Sequence, residues 1–145
     1  MSQNEFDIIK SYFSLPPQRD DVLLAGGDDC AIVKVPADKE LVVTTDTLNS
    51  GVHFPENTSP EDIAFKALMV NLSDLAAMGA TPAWISLAIS LPRVDESWLA
   101  AFSRQLGELL QQYNISLIGG DTTRGQLSIT IQAMGLCDRG RALRR

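Results

Sequence analysis

Four acidic segments of the sequence combine aspartate with small or hydroxyl-bearing neighbours. They are Asp28-Asp29 after Gly26-Gly27, Asp46 in TTDT, Asp74 in NLSDLAAMGA, and Asp121 in GGDTT. Carboxylate oxygens are the hard ligands that Mg²⁺ prefers, and magnesium ions are a common means of holding phosphate groups in proteins. A site for magnesium and a phosphorylated ligand is therefore one interpretation of these segments.

Each segment also has an ordinary structural interpretation. Gly26 and Gly27 permit positive φ and the close approach of a ligand, but a Gly-Asp pair suits a plain turn equally well. Asp46 and Asp121 each follow an apolar stretch and precede a threonine, so we expect them at strand ends, where rigid scaffolds often carry ligand groups. Turn formation or helix capping is the alternative for either one.

Asp74 is the most informative of the four because it lies in a predicted helix among apolar neighbours such as Leu72 and Leu75. A carboxylate buried there would cost on the order of several kcal/mol unless it met a cation or strong donors. Asn71 lies one turn earlier on the same side and could share such a ligand. A solvated aspartate on a narrow polar face is the alternative.

Other polar residues are less specific. His53 in GVHF is more often a core or turn residue than a ligand, and Lys66 is expected to be solvated, with phosphate contact as the alternative. Trp84 and Trp98 are expected to serve packing. The sequence has no G-x-x-x-x-G-K-[ST] loop, protein-kinase signature or nucleophile elbow, so ATP chemistry would need a different scaffold.

The elements that must position these residues follow from hydrophobic periodicity. Helices are expected over residues 5–13, 60–78 and 96–113, the second with Ser59 as N-cap and Gly79 as its stop. Strands are expected over residues 31–35, 41–45, 83–91, 115–118 and 127–136, with the first two forming a hairpin. This order predicts an α+β fold, a small and mostly antiparallel sheet with helices on one face.

Composition limits the function classes. A chain of 145 residues with 45% hydrophobic residues suits one domain, and its net charge of −6 argues against a nucleic-acid partner or an anionic membrane. Cys30 and Cys137 lack the spacing of a zinc site or a disulfide framework. Without a cleavable signal or an apolar run of the ~20 residues that span a membrane, a soluble cytoplasmic protein is expected.

Four motifs, taken in order, closely resemble the N-terminal domain of thiamine-monophosphate kinase. They are GGDDCA, TTDTLNSGVHF, KALMVNLSDLAAMGATPAW and LIGGDTTRG, and the likeness extends over nearly the whole chain. This family belongs to the superfamily of aminoimidazole ribonucleotide synthetase. The resemblance implies Mg²⁺-dependent transfer of the γ-phosphoryl group of ATP to thiamine monophosphate, which gives thiamine diphosphate and ADP.

The resemblance also implies roles for particular residues. The implied magnesium ligands are Asp29, Asp46, Asp74 and Asp121, assisted by oxygens of Thr44 and Thr45. His53 would lie beside the substrate, and the implied ATP contacts are Gly120, Asp121 and Arg145. The chain departs from the family pattern at Ala25, which replaces the first glycine before the paired aspartates, and in the variable Asn49-Ser50 stretch.

The resemblance implies a second, C-terminal domain in the family, and we expect this chain to lack it. The resemblance therefore implies that residues 1–145 form an N-terminal magnesium- and ATP-binding and dimerisation domain, without turnover by itself. It further implies that two sheets pair across a homodimer to make a barrel. Two alternatives remain: a non-catalytic dimerisation module whose aspartates are structural, and another ATP-using superfamily member, such as one that makes aminoimidazole ribonucleotide or selenophosphate.

Overall fold

The computed structural model describes residues 4–145 and has an α+β fold. The helices are α1 (Glu5–Ile8), which continues as a π-helical segment over Ile9–Phe13, α2 (Pro60–Ala77) and α3 (Glu96–Gln112). The strands are β1 (Val22–Leu24), β2 (Ile32–Val33), β3 (Lys39–Asn49), β4 (Thr81–Leu91), β5 (Ser116–Arg124) and β6 (Ser128–Asp138). None of the helices in this part of the chain is long and apolar enough to cross a bilayer.

The main sheet is mixed, with the strand order β3-β6-β4-β5. Strand β6 pairs antiparallel with both β3 and β4, whereas β4 and β5 run parallel and are joined through α3. A parallel pair needs a long crossover connection, which α3 provides. The α+β class is therefore confirmed, but the sheet contains a parallel pairing that the sequence did not predict.

The expected hairpin between residues 31–35 and 41–45 is wrong. Strand β2 pairs instead with β1, in a separate two-stranded sheet, and β3 pairs with β6 along its whole length. The three-residue β1 is too short to give an alternating pattern, so the sequence analysis missed it. Without β1, the nearest strand to β2 along the chain was β3.

Helix α2 begins and ends where its sequence predicts. The side chain of Ser59 accepts a hydrogen bond from the backbone N–H of Asp62 at 3.2 Å, and Pro60 occupies the first turn. The helix stops before Gly79, which has a φ of 71°. Its buried stripe runs the length of the helix, which fixes the orientation of its polar residues around the axis.

The core lies between the sheet and the two long helices. Helix α2 packs on β3 and β6, and α3 packs on α2. Within α3, the rings of Trp98 and Phe102 stack with centroids 5.0 Å apart. The opposite face of β3 is open, since the side chains of Leu41 and Val43 are 44% and 49% exposed.

An ion pair fastens the segment before β1 to the main sheet. The guanidinium of Arg19 lies 2.7 Å from the carboxylate of Asp21 and 5.7 Å from the ring centroid of Trp84. The indole Nε1 of Trp84 donates to Asp21 Oδ1 at 3.0 Å. Burial raises the pKa of Asp21, but the hydrogen bonds from Arg19 and Trp84 outweigh it, so the pKa lies below its ordinary value.

Candidate functional site

A hydroxyl and a carboxylate meet where α2 crosses β3. Thr44 Oγ1 donates to Asp74 Oδ2 at 3.4 Å. Thr44 points toward the helix because its neighbour on β6, Ala133, lies on the fully buried face. Asp74 is exposed, so the cost of burial anticipated from its apolar neighbours does not arise. At 3.4 Å the hydrogen bond is long, which leaves the lone pairs of Asp74 available to a cation.

Asp46 lies on the same face of β3 as Thr44. It is two residues further along the strand and pairs with the fully buried Ile131. Because side chains alternate along a strand, Thr44 and Asp46 face α2 while Thr45 faces the opposite side. Asp46 is therefore inside β3 and not at the strand end that the sequence suggested. Thr44, Asp46 and Asp74 supply oxygen atoms to one side of the sheet.

Asn71 lies one turn before Asp74 and is completely buried. Its Nδ2 donates to the carbonyl oxygen of Ala67 at 3.0 Å, but its Oδ1 has no hydrogen-bond donor among residues 4–145. A buried polar atom left without a partner costs about 1–3 kcal/mol. Asn71 is thus a feature of α2 that packing alone does not explain.

Asp121 lies on the other edge of the sheet, inside β5. Asp46 of β3 pairs with Ile131 of β6, which pairs with Leu87 of β4, which pairs in turn with Gly120 of β5. Asp121 is therefore one residue along β5 from the position level with Asp46. Three strand spacings of about 4.8 Å separate the two edges by about 14 Å. One magnesium ion, with oxygen ligands at about 2.1 Å, cannot bridge that distance within a single chain.

The register also puts Asp46 and Asp121 on opposite faces. Asp121 pairs with Ala88, which is exposed, whereas Thr122 pairs with the buried Ile89. Asp121 is a mid-strand residue, so its expected location at a strand end is wrong as well. The sequence pattern predicts a strand over residues 115–118 only, but the strand continues through Gly119 and Gly120 to Arg124.

Gly120 has a structural role in the pairing of β5 with β4. A Cβ atom at this position would lie 1.8 Å from the carbonyl oxygen of Leu87. By contrast, a Cβ at Gly119 would meet nothing within 4 Å. The second glycine is therefore needed for the close approach of the two backbones, independently of any nucleotide contact.

Glu5 is a neighbour of Asp121 that sequence reasoning missed. A hydrogen bond with the Asp121 carboxylate raises the pKa of Glu5, and desolvation and the charge of Asp121 add to this effect. In the sequence, Glu5 is an ordinary acidic residue in the first turn of a helix, and no spacing links it to residue 121. Only the contact between α1 and β5 brings the two carboxyl groups together.

The glycine-rich loop lies between β1 and β2. Gly26 and Gly27 have φ values of 66° and 90°, which other residues rarely adopt. The backbone N–H of Asp29 donates to Asp28 Oδ1 at 2.8 Å, and both aspartates are exposed. At the other end of the chain, Arg145 is exposed as well.

His53 is held in the turn that follows β3. Its Nδ1 accepts a hydrogen bond from the backbone N–H of Asn49 at 2.8 Å, and its carbonyl oxygen accepts one from Lys66 Nζ.

Within residues 4–145, no three side chains of the His, Cys, Asp and Glu types are close enough together to hold one metal ion. The structure therefore brings Thr44 together with Asp74, while the complete ligand set remains a prediction.

Comparison with known proteins identifies the family of the chain. The family model for the AIR synthase related protein, N-terminal domain, matches residues 27–137, which include the acidic segments. The chain belongs to this family.

The chain is also similar to curated proteins named thiamine-monophosphate kinase. It is 54% identical to a thiamine-monophosphate kinase of Haemophilus influenzae over 99% of its length, and 53% identical to that of Escherichia coli over its whole length. These matches cover 44% and 45% of the two relatives. The AIR synthase-related chain thus spans about half the length of the curated relatives it matches.

Solved structures agree with this family assignment. A thiamine-monophosphate kinase from Stenotrophomonas maltophilia superposes with a TM-score of 0.82 at 59% identity, over 87% of this chain and 40% of that one. A structure described as AaThiL complexed with AMPPCP and TMP gives a TM-score of 0.68 at 32% identity, over 79% and 38%. A hydrogenase maturation protein HypE in complex with ATP, at 19% identity and a TM-score of 0.67, shares the fold.

Proposed function

We propose that this chain is the magnesium- and ATP-binding N-terminal domain of a thiamine-monophosphate kinase. The whole protein would phosphorylate thiamine monophosphate with ATP to give thiamine diphosphate, and residues 1–145 would bind nucleotide without turnover of their own. The oxygen group of Thr44, Asp46 and Asp74 on β3 and α2 carries this proposal. The relatives that bear this name, and the related structure described as containing AMPPCP and TMP, support it.

The donor set suits Mg²⁺. Asp46 and Asp74 offer carboxylate oxygens, Thr44 offers a hydroxyl, and Mg²⁺ prefers a few such ligands completed by water and phosphate. When bound, the ion would neutralise phosphate charge that otherwise repels the acidic residues. Thr44 would hold the Asp74 carboxylate in orientation through their hydrogen bond. Asp29 and a backbone oxygen of Thr45 would complete the ligands, with Gly120 and Arg145 contacting ATP.

No residue of this chain is required as a general base. The acceptor is a phosphate monoester with a second pKa of about 6, so its attacking oxygen is largely ionised at neutral pH. The main obstacle is repulsion between the acceptor and the triphosphate. A site rich in aspartate and supplied with magnesium would overcome that repulsion, in agreement with the acidic segments of this domain.

The proposal includes a homodimer. The exposed Leu41 and Val43 form an apolar surface on the uncovered face of β3, and stacking this face on a second copy would close two sheets into a barrel. In such a barrel, β5 of one copy would approach β3 of the other. Asp121 and the Thr44–Asp46–Asp74 group would then hold separate magnesium ions that neutralise the charge of one triphosphate.

Calorimetric titration of ATP into the 145-residue chain, with and without Mg²⁺, tests the proposal. We expect binding that needs magnesium and that weakens by about 10-fold or more in Asp74→Asn, since a lost charged contact is worth about 1.5–3 kcal/mol. Asp62→Asn is the matched control, because it removes the same charge from the first turn of the same helix. Equal ATP affinity with and without Mg²⁺ would instead favour the non-catalytic dimerisation module.

A further inference from the structure

The segment that follows β6, residues 139–145, returns to the C-terminal end of α2. The backbone N–H of Leu143 donates to the carbonyl oxygen of Met78, the C-cap of that helix, at 3.0 Å. The Leu143 side chain lies beside Gly79, where a Cβ atom would be 3.5 Å from Leu143 Cγ. Two parts of the chain that are distant in the sequence therefore meet at the end of the helix that carries Asp74.

The local cap of α2 leaves the Met78 carbonyl to this distant donor. The N–H of Gly79 donates to the carbonyl oxygen of Ala76 at 3.0 Å. That of Ala80 donates to the carbonyl oxygen of Leu75 at 2.9 Å, and the two bonds together form a Schellman motif. The last carbonyls of a helix need partners from outside the helix. The returning segment therefore completes the cap of α2.

Two further contacts hold the start of the returning segment near β3. The N–H of Arg139 donates to the carbonyl oxygen of Asp38 at 3.1 Å, and the N–H of Gly140 donates to the carboxylate of Glu40. Gly140 has a φ of 73°, which lets the chain turn back after β6. With the bond to α2, the segment is attached at three points, so the residues that follow start from a fixed position.

The attachment limits where Arg145 can lie. Arg145 is two residues beyond Leu143, and an extended chain spans at most about 3.6 Å per residue, so their Cα atoms are no more than about 7 Å apart. Asp74 is four residues before Met78, which is about 6 Å along a helix axis. Arg145 is therefore held at the same end of α2 as the Asp74 carboxylate. It is exposed, so its guanidinium is available to a ligand.

The returning segment is also the most basic part of the sequence. It contains four of the twelve lysine and arginine residues of a chain whose net charge is −6. A site rich in aspartate repels a triphosphate, and nearby guanidinium groups offset that repulsion. Binding is stronger when such a group is already ordered, because less conformational entropy is lost. The bond between Leu143 and Met78 provides order of this kind in the absence of ATP.

We infer that Leu143 is a positioning residue for nucleotide binding, because its backbone bond to Met78 fixes Arg145 where the guanidinium meets the phosphate groups of ATP. This inference rests on the proposed function, which assigns the ATP contact to Arg145. It deepens that function by stating what places the arginine. The role depends on the N–H of Leu143 and not on its side chain, which is 59% exposed.

Amide hydrogen exchange tests the anchor without any ligand. We expect the N–H of Leu143 to exchange more slowly than that of Arg144, which has no backbone acceptor among residues 4–145. Backbone ¹⁵N relaxation should also give a lower order parameter at Arg144 in Leu143→Pro than in the wild type. Equally fast exchange at the two positions, or an unchanged order parameter, would overturn the inference.

Two variants separate the N–H of Leu143 from its side chain. Leu143→Pro removes the donor, since proline has no N–H, whereas Leu143→Ala retains it. In calorimetry with ATP and Mg²⁺, we expect Leu143→Pro to bind about 10-fold more weakly than the wild type and Leu143→Ala to stay within about threefold. Wild-type affinity in Leu143→Pro, or an equal loss in Leu143→Ala, would contradict the positioning role.

A double-variant cycle distinguishes the positioning of Arg145 from general damage to α2. Arg145→Ala should itself lower the affinity for ATP by about 10-fold. If Leu143 acts through Arg145, adding Leu143→Pro to Arg145→Ala should lower the affinity by less than about a further twofold. Losses that multiply in the double variant would show that Leu143→Pro acts through α2 and would refute the inference.

Glu40→Ala tests the same segment in case Leu143→Pro does not fold. It removes the acceptor of the Gly140 N–H and leaves α2 unchanged. Loss of a negative charge by itself favours an anionic ligand, so a drop in ATP affinity of about threefold would reveal the lost attachment. Glu108→Ala, at an exposed position of α3, is the control for the charge. Equal ATP affinity in the two variants would count against the inference.

The measurements with and without ligand separate this inference from the proposed function. Failure of the wild-type chain to bind ATP in the presence of Mg²⁺ would count against the proposed function, while hydrogen exchange at Leu143 would still decide whether the anchor exists. Magnesium-dependent ATP binding that Leu143→Pro leaves unchanged would do the reverse. It would agree with the proposed function and overturn the role of Leu143.

Discussion

Asp46 and Asp121 lie at nearly the same level of one sheet but on its two opposite edge strands. The ladder places Asp46 beside Ile131 and, two strands further, Gly120 beside Leu87. The two carboxylates are about 14 Å apart by strand spacing and face opposite sides. If both serve one triphosphate, they need separate ions, and a second copy is the simplest way to bring the two edges together.

Dimerisation and nucleotide binding are therefore expected to fail together. Val43→Asp puts a charge on the uncovered face of β3, where Val43 is 49% exposed, and should both dissociate the dimer and lower the affinity for ATP with Mg²⁺. Sedimentation and calorimetry measure the two effects. Val94→Asp is the matched control, because Val94 is 42% exposed in the loop before α3. Monomeric Val43→Asp with wild-type ATP affinity would show that one chain suffices.

The two glycines before Asp121 should differ sharply in how well they tolerate substitution by alanine. Gly120→Ala puts a Cβ 1.8 Å from the Leu87 carbonyl oxygen, so β5 must move away from β4. We expect it to lower the free energy of unfolding by about 2–4 kcal/mol in urea titrations. Gly119→Ala meets nothing within 4 Å and should cost less than about 1 kcal/mol. Equal losses in the two variants would refute the close-approach explanation.

Replacing Asn71 with leucine should stabilise the fold, whereas most substitutions destabilise it. Asn71→Leu removes a buried amide oxygen that lacks a donor among the described residues, in a helix face that is otherwise apolar. We expect the free energy of unfolding to rise by about 1 kcal/mol, measured by urea titration. Asn71→Asp, which buries a charge at the same position, should lower it. A destabilised Asn71→Leu would mean that Oδ1 has a partner, such as a bound water.

Asp21 should make stability depend on pH in the acid range. Because its pKa in the folded chain lies below the ordinary value of 3.8, its contribution is complete above that value and is lost as pH falls through the folded-state pKa. At neutral pH, Asp21→Asn should therefore lower the free energy of unfolding by about 1.5–3 kcal/mol relative to wild type. In acid, the stabilities of the two chains should converge. Thermal melts from pH 7 downward measure the difference, with Asp20→Asn as the neighbouring control.

Several local features were determined by the sequence alone. Helix α2 could be predicted because its cap at Ser59, its Pro60 and its stop at Gly79 act through neighbouring backbone groups. The order of the acidic motifs was enough to indicate the family, which the match over residues 27–137 and the curated relatives at 53–54% identity confirm. These features depend on residues a few positions apart, so the linear sequence contains them.

Only the tertiary structure decided which strands pair and which site residues meet. Strand β3 pairs with β6, and the paired residues Thr47 and Thr130 are more than eighty positions apart in the sequence. No local propensity selects β6 over β2 as the partner of β3. The same pairing, together with the packing of α2, brings Thr44 to Asp74 and keeps Asp46 from Asp121. The physical reason is that strand pairing and helix packing are chosen by the total burial of distant surfaces, which local residue patterns do not record.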